Sequence, residues 1–134
     1  MLVTSKWVKN HQSVVDNGRT DAVVMDLPPD KGGEDYAATA LEFAVMALAG
    51  CITTIFSLVA KNSKVKLEYL EAIVETEKPD EAITITEANI NLNVKSDAPE
   101  DKINKILRIT LKQCPVESLF RQAKVKMEVS LNGK

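Results

Sequence analysis

The chain has 134 residues, of which 45% are hydrophobic, 27% are charged and 4% are aromatic. That size predicts one domain over residues 1–134, and the scarcity of aromatic residues predicts an aliphatic core. Seventeen basic and nineteen acidic residues give a net charge of −2, without the basic excess that binding to phosphates requires, so we expect no nucleic-acid partner.

The N-terminal segment MLVTSKWVKNHQ has polar and charged residues where a signal peptide would have its apolar stretch, which predicts a cytoplasmic protein. In that reducing compartment the two cysteines, Cys51 and Cys114, are expected as thiols. A bond between them would be transient and catalytic rather than structural.

Strands are predicted in the first third of the chain, in the segments LVTSKWV, SVVDN and TDAVVMDL. The pair Asn17–Gly18 between two apolar runs indicates a hairpin, because both residues tolerate positive φ. Arg19 follows that turn directly. The next stretch, PPDKGGEDY, is interrupted by Pro and Gly and predicts a loop that leads into a helix.

A long helix is predicted from Ala37 to Lys61, where apolar residues recur at spacings of four and three. Glu42 is the only charge between Ala37 and Ala60, so this helix is apolar nearly all round. Such a helix either spans a membrane or is surrounded by protein. A lone span rich in Ala and Thr and followed by strands is atypical, so we expect no membrane and a central helix covered by this chain or a second subunit.

Two long strands are predicted over residues 65–77 and 83–95, around the turn KPDEA. In the second, Ile90, Leu92 and Val94 alternate with Asn89, Asn91 and Asn93. Ile83 and Ile85 fall on the opposite parity, which predicts a change of buried face or a bulge within the strand. So long a hairpin in a small chain also favours a dimer.

The C-terminal third is predicted to form two helices and a strand. Ser96 or Asp97 is expected to cap a helix that stops at Cys114, because Pro115 disfavours the α conformation in the residue before it. A second helix, CPVESLFRQ, is expected to start there with Pro115 at its first position. The closing segment KVKMEVSLNG alternates as a half-exposed strand. The predicted class is α+β.

The two thiols are the candidate reactive groups. A cysteine at a helix N-cap, as predicted for Cys114, has its thiolate stabilised by backbone N–H groups and the helix dipole, which lowers its pKa. The alternative is that Cys114 fills the corner between two helices. Cys51 lies in the uncharged run MALAGCITTIF, either as a small hydrophobic residue or as a nucleophile in a dry pocket.

A nucleophilic Cys51 needs a cation from elsewhere in the fold. Arg19 is the best candidate, because its guanidinium is always charged and its forked donors can hold a thiolate and a peroxide oxygen together. The alternative is a solvated arginine in a turn. Glu42 lies about 13 Å before Cys51 along an unbroken helix and on its opposite side, and taken alone it suits the first helical turn.

Other chemistries are not supported by the sequence. One His and two widely spaced Cys cannot form a metal site of nitrogen and sulfur ligands from one chain. Gly32–Gly33 is too short for a nucleotide-phosphate loop, and no Ser, His and Asp stand in a nucleophile-elbow context. We therefore expect neither metal nor bound cofactor.

Two motifs together resemble the OsmC/Ohr family of osmotically inducible and organic-hydroperoxide-resistance proteins. They are GRTDAVVMDLPPDKGGEDYAATALEFAVMALAGC, from Gly18 to Cys51, and CPVESL, from Cys114 to Leu119. The resemblance implies antiparallel sheets wrapped around a long central helix. It also implies an intertwined homodimer with two sites at the subunit interface.

The resemblance further implies a thiol peroxidase. Cys51 would attack a peroxide oxygen and become a sulfenic acid, and Cys114 would resolve it as a disulfide. An external dithiol, lipoyl-type in the organic-hydroperoxide branch, would restore both thiols. An apolar lining around Cys51 would favour fatty or aromatic hydroperoxides.

One position departs from the better-defined peroxidase branches of the family. There, the glutamate that pairs with the active-site arginine follows a proline and stands ten residues before the first cysteine. Here Leu41 occupies that position, Ala40 replaces the proline and Glu42 comes one residue later, as in a broader branch of the family. By this resemblance Glu42 is the fourth candidate catalytic residue, with Cys51, Cys114 and Arg19. A non-catalytic protein that binds a small lipophilic ligand is the alternative hypothesis, and a structural role for both cysteines is a third.

Overall fold

The computed structural model describes residues 1–133. They divide into two compact units, Met1–Ala44 and Val45–Lys134, and each is described by itself. The prediction of one domain over residues 1–134 stays a prediction, and Lys134 lies outside the described residues. The α+β class is confirmed: the chain has two small sheets and one long apolar helix.

The first unit contains an antiparallel sheet in the order β1 (Thr4–Lys9), β2 (Gln12–Asp16) and β3 (Val23–Met25). The hairpin expected at Asn17–Gly18 is confirmed, but its connection spans residues 17–22 rather than a tight pair. The Asn17 side chain explains the wider turn, because its Oδ1 accepts hydrogen bonds from the amides of Arg19 and Thr20, both at 2.9 Å.

The predicted loop after β3 holds a short 3₁₀ helix, Pro29–Lys31. Each residue of its Gly-Gly pair is needed for a different reason, Gly33 for a close approach of two backbone segments and Gly32 for a positive φ. A Cβ on Gly33 would lie 1.8 Å from the carbonyl oxygen of Leu27, and Gly32 has a φ of 84°.

Helix α1 (Ala40–Asn62) confirms the predicted long helix. In the second unit its face of Leu48, Ile52 and Phe56 is fully buried. By length and composition alone α1 could also cross a membrane, and 28% of its most apolar window is buried within this chain. One such helix is weak evidence for a membrane span, because the core helices of soluble proteins pass the same test.

The remaining elements of the second unit are β4 (Leu67–Glu77), β5 (Glu87–Ser96), α2 (Glu100–Gln113), α3 (Pro115–Gln122) and β6 (Lys126–Gly133). They form a sheet in the order β4-β5-β6. The β4–β5 pair is antiparallel, but the β5–β6 pair is parallel, which corrects the expectation of antiparallel sheets. The reason is the connection between β5 and β6, which runs through both α2 and α3 and returns the chain to the same end of the sheet.

Strand β5 corrects a second expectation. It begins at Glu87, so Ile83 and Ile85 precede it, and no change of buried face occurs within the strand. Ile85 is buried there and Ile83 is almost fully exposed. The irregularity lies in β4 instead, between Leu67 and Tyr69.

Helix α2 begins later than expected and without a side-chain cap, because Pro99 occupies the N-cap position. The two expected caps make other contacts. Ser96 Oγ accepts a hydrogen bond from the amide of Ala98 at 3.2 Å, and Asp97 Oδ1 accepts one from the amide of Lys66, also at 3.2 Å. These bonds fix the turn between β5 and α2.

Candidate active site

The second unit brings its two cysteines into contact. The Sγ atoms of Cys51 and Cys114, 63 positions apart in the chain, lie 3.0 Å from each other, and the Cys114 thiol donates to Cys51. Both are free thiols; Cys51 is half-buried and Cys114 is 1% exposed. A disulfide requires a sulfur–sulfur distance of about 2.0 Å, so the pair needs to close by about 1 Å to bond.

Local sequence explains where each thiol lies. Cys51 follows the buried Leu48 by three residues and precedes the buried Ile52, so it stands at the edge of the buried face of α1 and packs against the core. Cys114 joins two helices: its amide donates to the carbonyl of Thr110 at 2.8 Å, ending α2, and it is the N-cap of α3. Pro115, at the first position of α3, enforces that break.

The Cys114 thiol is not acidified, contrary to the sequence-based expectation. Burial, together with the hydrogen bond to Cys51, raises the pKa of Cys114 to about 11. The backbone amides of Glu117 and Val116 act in the opposite direction, as expected at a helix N-terminus, but they do not outweigh burial. Cys114 is therefore a protonated hydrogen-bond donor at neutral pH.

Glu42 lies in the first unit, where it forms a capping box with Thr39. The Thr39 amide donates to Glu42 Oε2 at 2.7 Å, and the Glu42 amide donates to Thr39 Oγ1 at 3.2 Å. The same two hydrogen bonds lower the pKa of Glu42. The sequence signal for this motif is Thr-x-x-Glu at the helix start, which the sequence analysis did not use.

Arg19 lies in the exposed connection between β2 and β3, also in the first unit. Within residues 1–133 its side chain forms no ion pair with Glu42 or with another acid. Catalytic roles for Arg19 and Glu42 at the thiols stay predictions.

A further charged residue next to the thiols was missed by the sequence analysis. Glu117 in α3 is only 2% exposed, and its amide donates to Cys114 Sγ at 3.5 Å. Its carboxylate accepts from Arg121 Nε at 2.8 Å and also from Arg121 Nη2. The spacing of an acid and an arginine four residues later on a helix was the available signal.

Residues 1–133 contain no group of three or more His, Cys, Asp or Glu side chains arranged to hold a metal ion. A cavity of about 420 Å³ lies in the second unit beside the end of β5 and the start of α2, where Val94, Ile103 and Leu131 line it. Neither cysteine lines this cavity. The dithiol pair is thus the reactive feature with direct geometric support.

Known proteins resemble this chain in sequence pattern and in fold. A family model described as OsmC-like protein matches residues 32–130. An OsmC-like protein from Mycoplasma pneumoniae has a TM-score of 0.84 at 16% identity, with 98% of this chain and 94% of that chain covered. No curated protein sequence matches this chain.

Two further solved structures are organic hydroperoxide resistance proteins. One, from Legionella pneumophila, has a TM-score of 0.69 at 16% identity, with 98% of this chain and 95% of that chain covered. The other, from Elizabethkingia anophelis, has a TM-score of 0.72 at 17% identity, with 98% and 94% covered. Identities this low show a shared fold.

Proposed function

This chain belongs to the OsmC-like family, and from that membership we propose that it is a thiol peroxidase that reduces organic hydroperoxides with Cys51 and Cys114. The observation that carries the proposal is the 3.0 Å distance between the two Sγ atoms. The two structural neighbours named as organic hydroperoxide resistance proteins support the choice of substrate class.

The proposed reaction has three steps. The Cys51 thiolate attacks the terminal oxygen of ROOH, which breaks the O–O bond and gives a Cys51 sulfenic acid and, after protonation, the alcohol ROH. The Cys114 sulfur then attacks the Cys51 sulfenic acid sulfur, which forms the disulfide and releases water. An external dithiol reduces the disulfide by exchange and becomes oxidised itself.

Burial and hydrogen bonding favour this division of roles. Cys114, with a pKa of about 11, stays protonated at neutral pH and donates a hydrogen bond to the Cys51 sulfur. A buried thiol that does not release its proton at neutral pH is a poor first nucleophile but a suitable resolving group once a sulfenic acid lies next to it. Cys51, half-buried at the edge of the core, is the residue that meets the peroxide.

The proposed substrate is a hydroperoxide with an apolar organic group. Cys51 packs against the hydrophobic core, to which Leu48 and Ile52 belong, and Ile55 packs against the same core. Apolar side chains at the attacking sulfur favour fatty or aromatic groups over hydrogen peroxide. Arg19 remains the proposed cation for the thiolate and the peroxide oxygen, and a lipoyl-type dithiol the proposed cytoplasmic reductant.

A homodimer is part of the proposal. Helix α1 has large hydrophobic side chains on its surface in the single chain, among them Met46 at 56% and Leu58 at 49% exposure. A second α1 packed against this face would cover them. Sedimentation of Leu58→Glu against wild type tests it: we expect the variant to shift to monomer, and a monomeric wild type would contradict the dimer.

The direct test of function is consumption of cumene hydroperoxide by the purified protein with dihydrolipoamide as reductant. We expect activity in the wild type and none above background in Cys51→Ser. Ser57→Ala, which changes an exposed hydroxyl on the same helix, serves as the matched control. Activity that persists in Cys51→Ser would overturn the proposal.

The hydrogen bonds between Glu42 and Thr39 favour a second candidate function, a non-catalytic protein that binds a small lipophilic ligand. Its carboxylate is held by Thr39, and Leu41 occupies the position of the acid in the peroxidase branches. Wild-type protein that binds a lipophilic probe with an affinity unchanged in Cys51→Ser, and that lacks hydroperoxide turnover, would favour this candidate.

A further inference from the structure

Helix α3 buries a carboxylate that the proposed reaction does not use. Glu117 is 2% exposed, whereas Arg121, its partner, has a side chain that is 60% exposed. A buried carboxylate is costly unless it is paired and hydrogen-bonded. Arg121 meets that need with Nε at 2.8 Å and with Nη2, both directed to Glu117 Oε1.

The same glutamate contacts the resolving thiol through its backbone. The Glu117 amide donates to Cys114 Sγ at 3.5 Å, so the first turn of α3 holds both the carboxylate and the hydrogen bond that orients the thiol. Any movement of this turn moves the amide relative to the sulfur.

Helix α3 depends on the Glu117–Arg121 pair more than a longer helix would. It has eight residues, a length at which an isolated helix is marginal, and Glu117 is the one residue among its described eight that is buried. Val116 and Phe120 are half-buried against the core. The Glu117–Arg121 pair joins the first turn of α3 to its last turn and so stabilises the helix from within.

We propose that Glu117 and Arg121 form a positioning pair for disulfide formation, holding the first turn of α3 so that Cys114 stays within reach of Cys51. The inference rests on the proposed peroxidase function, since it concerns the step in which the Cys114 thiol and the Cys51 sulfenic acid give a disulfide and water. Neither residue touches the peroxide.

The test measures the thiol–disulfide equilibrium without peroxide. Wild type and Arg121→Ala are equilibrated in mixtures of oxidised and reduced dithiothreitol, in which two protein thiols become one disulfide as oxidised dithiothreitol is reduced. The fraction of Cys51–Cys114 disulfide is then read by mass spectrometry after alkylation. We expect the equilibrium constant to fall by roughly three- to tenfold in Arg121→Ala, as for residues of one hydrogen-bond network.

Two companion variants separate positioning from general destabilisation. Arg121→Lys keeps the charge without the guanidinium fork and is expected to restore part of the constant. Gln122→Ala removes a hydrogen bond of the same spacing on the same helix, from Gln122 Nε2 to Ser118 Oγ at 3.2 Å, and is expected to leave the constant unchanged. Glu117→Gln, which keeps an oxygen that Arg121 can bond, is expected to lower the constant less than Arg121→Ala does.

The outcomes decide the proposal separately from the peroxidase function. Wild-type constants in both Arg121→Ala and Glu117→Gln, or an equal loss in Gln122→Ala, would overturn the positioning pair. A parallel reaction with one equivalent of cumene hydroperoxide in the presence of dimedone should trap more Cys51 sulfenic acid in Arg121→Ala than in wild type. A wild-type protein inert to peroxide would instead refute the peroxidase function, and the dithiothreitol equilibrium would still decide the pair.

Discussion

Cys114 donates its thiol hydrogen to Cys51 across 3.0 Å while its own sulfur accepts the amide of Glu117 at 3.5 Å. The sulfur atom is thus held from two sides by groups on different elements, α1 and the first turn of α3. That arrangement separates the two thiols by role before any oxidant arrives, because one is the donor and the other the acceptor.

Replacing Cys114 with Ser should therefore block the second step of the cycle and spare the first. We expect the Cys51 sulfenic acid to accumulate after one equivalent of cumene hydroperoxide, and turnover with dihydrolipoamide to fall about tenfold or more, because the intramolecular thiol is lost. Dimedone trapping and steady-state rates measure the two effects. A variant that turns over at the wild-type rate would show that Cys114 does not resolve the intermediate.

The raised pKa of Cys114 predicts a loss of stability in alkali. The folded protein keeps the proton up to about pH 11 and the unfolded chain releases it near 9.0, so the folded state binds more protons between these values. The stability that the neutral thiol contributes is complete below pH 9.0 and is lost as pH rises towards 11. The two-unit shift corresponds to about 2 kcal/mol at the end of that window.

Urea unfolding at about pH 8 and at about pH 10.5 measures this effect under reducing conditions. Cys114→Ala is the reference, since lysines and tyrosines titrate equally in both proteins. We expect wild type to lose more free energy of unfolding than the variant between the two pH values. Equal losses would mean that the thiol is not buried in its neutral form.

Local patterns predicted most of the elements and the break between α2 and α3. The spacing of Leu48 and Ile52 was sufficient for the long helix, and Pro115 was sufficient to place Cys114 at a helix junction. The parallel pairing of β6 was not predictable from its alternation, because Met127 and Val129 show the same two-residue period in either direction.

The two thiols of the candidate site could be picked out from the sequence, but their contact and the electrostatics around them could not. The N-cap position predicted that backbone amides would reach the Cys114 sulfur, and the Glu117 amide does so. The direction of the pKa shift was not predictable, because it depends on burial by residues distant in the chain. The environment of Glu42, in contrast, was predictable from the sequence. Its partner, Thr39, is only three residues away, and the two form a capping box.

The capping box predicts that Glu42 matters to stability rather than to the reaction. Thr39→Ala should cost about 1 kcal/mol of unfolding free energy, as for other lost N-caps. Glu42→Gln should keep hydroperoxide turnover within about threefold of wild type, because glutamine can also serve in a capping box. Glu68→Gln, an exposed acid in β4, is the control. Abolished turnover in Glu42→Gln with unchanged stability would instead support a catalytic role for Glu42.

Asp26 organises the loop after β3. Its hydrogen bonds predict that this loop is destabilised in acid. Its side chain is buried at 2% exposure and accepts hydrogen bonds from the amides of Leu27, Glu34 and Tyr36 at 2.8, 3.2 and 3.0 Å. Gln12 Nε2 is a fourth donor at 3.4 Å. Burial opposes the charged form, but these hydrogen bonds outweigh it and hold the pKa of Asp26 below its usual 3.8.

Asp26→Asn should lower the melting temperature at neutral pH by about 5 °C or more, because an amide NH₂ cannot accept and then faces a backbone donor. With a depressed folded pKa, the stability from the carboxylate is complete above 3.8 and is lost as pH falls through the folded value. The difference in melting temperature between wild type and Asp26→Asn should therefore shrink in acid. Asp30→Asn, an exposed acid in the same loop, should match wild type throughout, and a pH-independent loss in Asp26→Asn would mean that shape rather than charge fixes the loop.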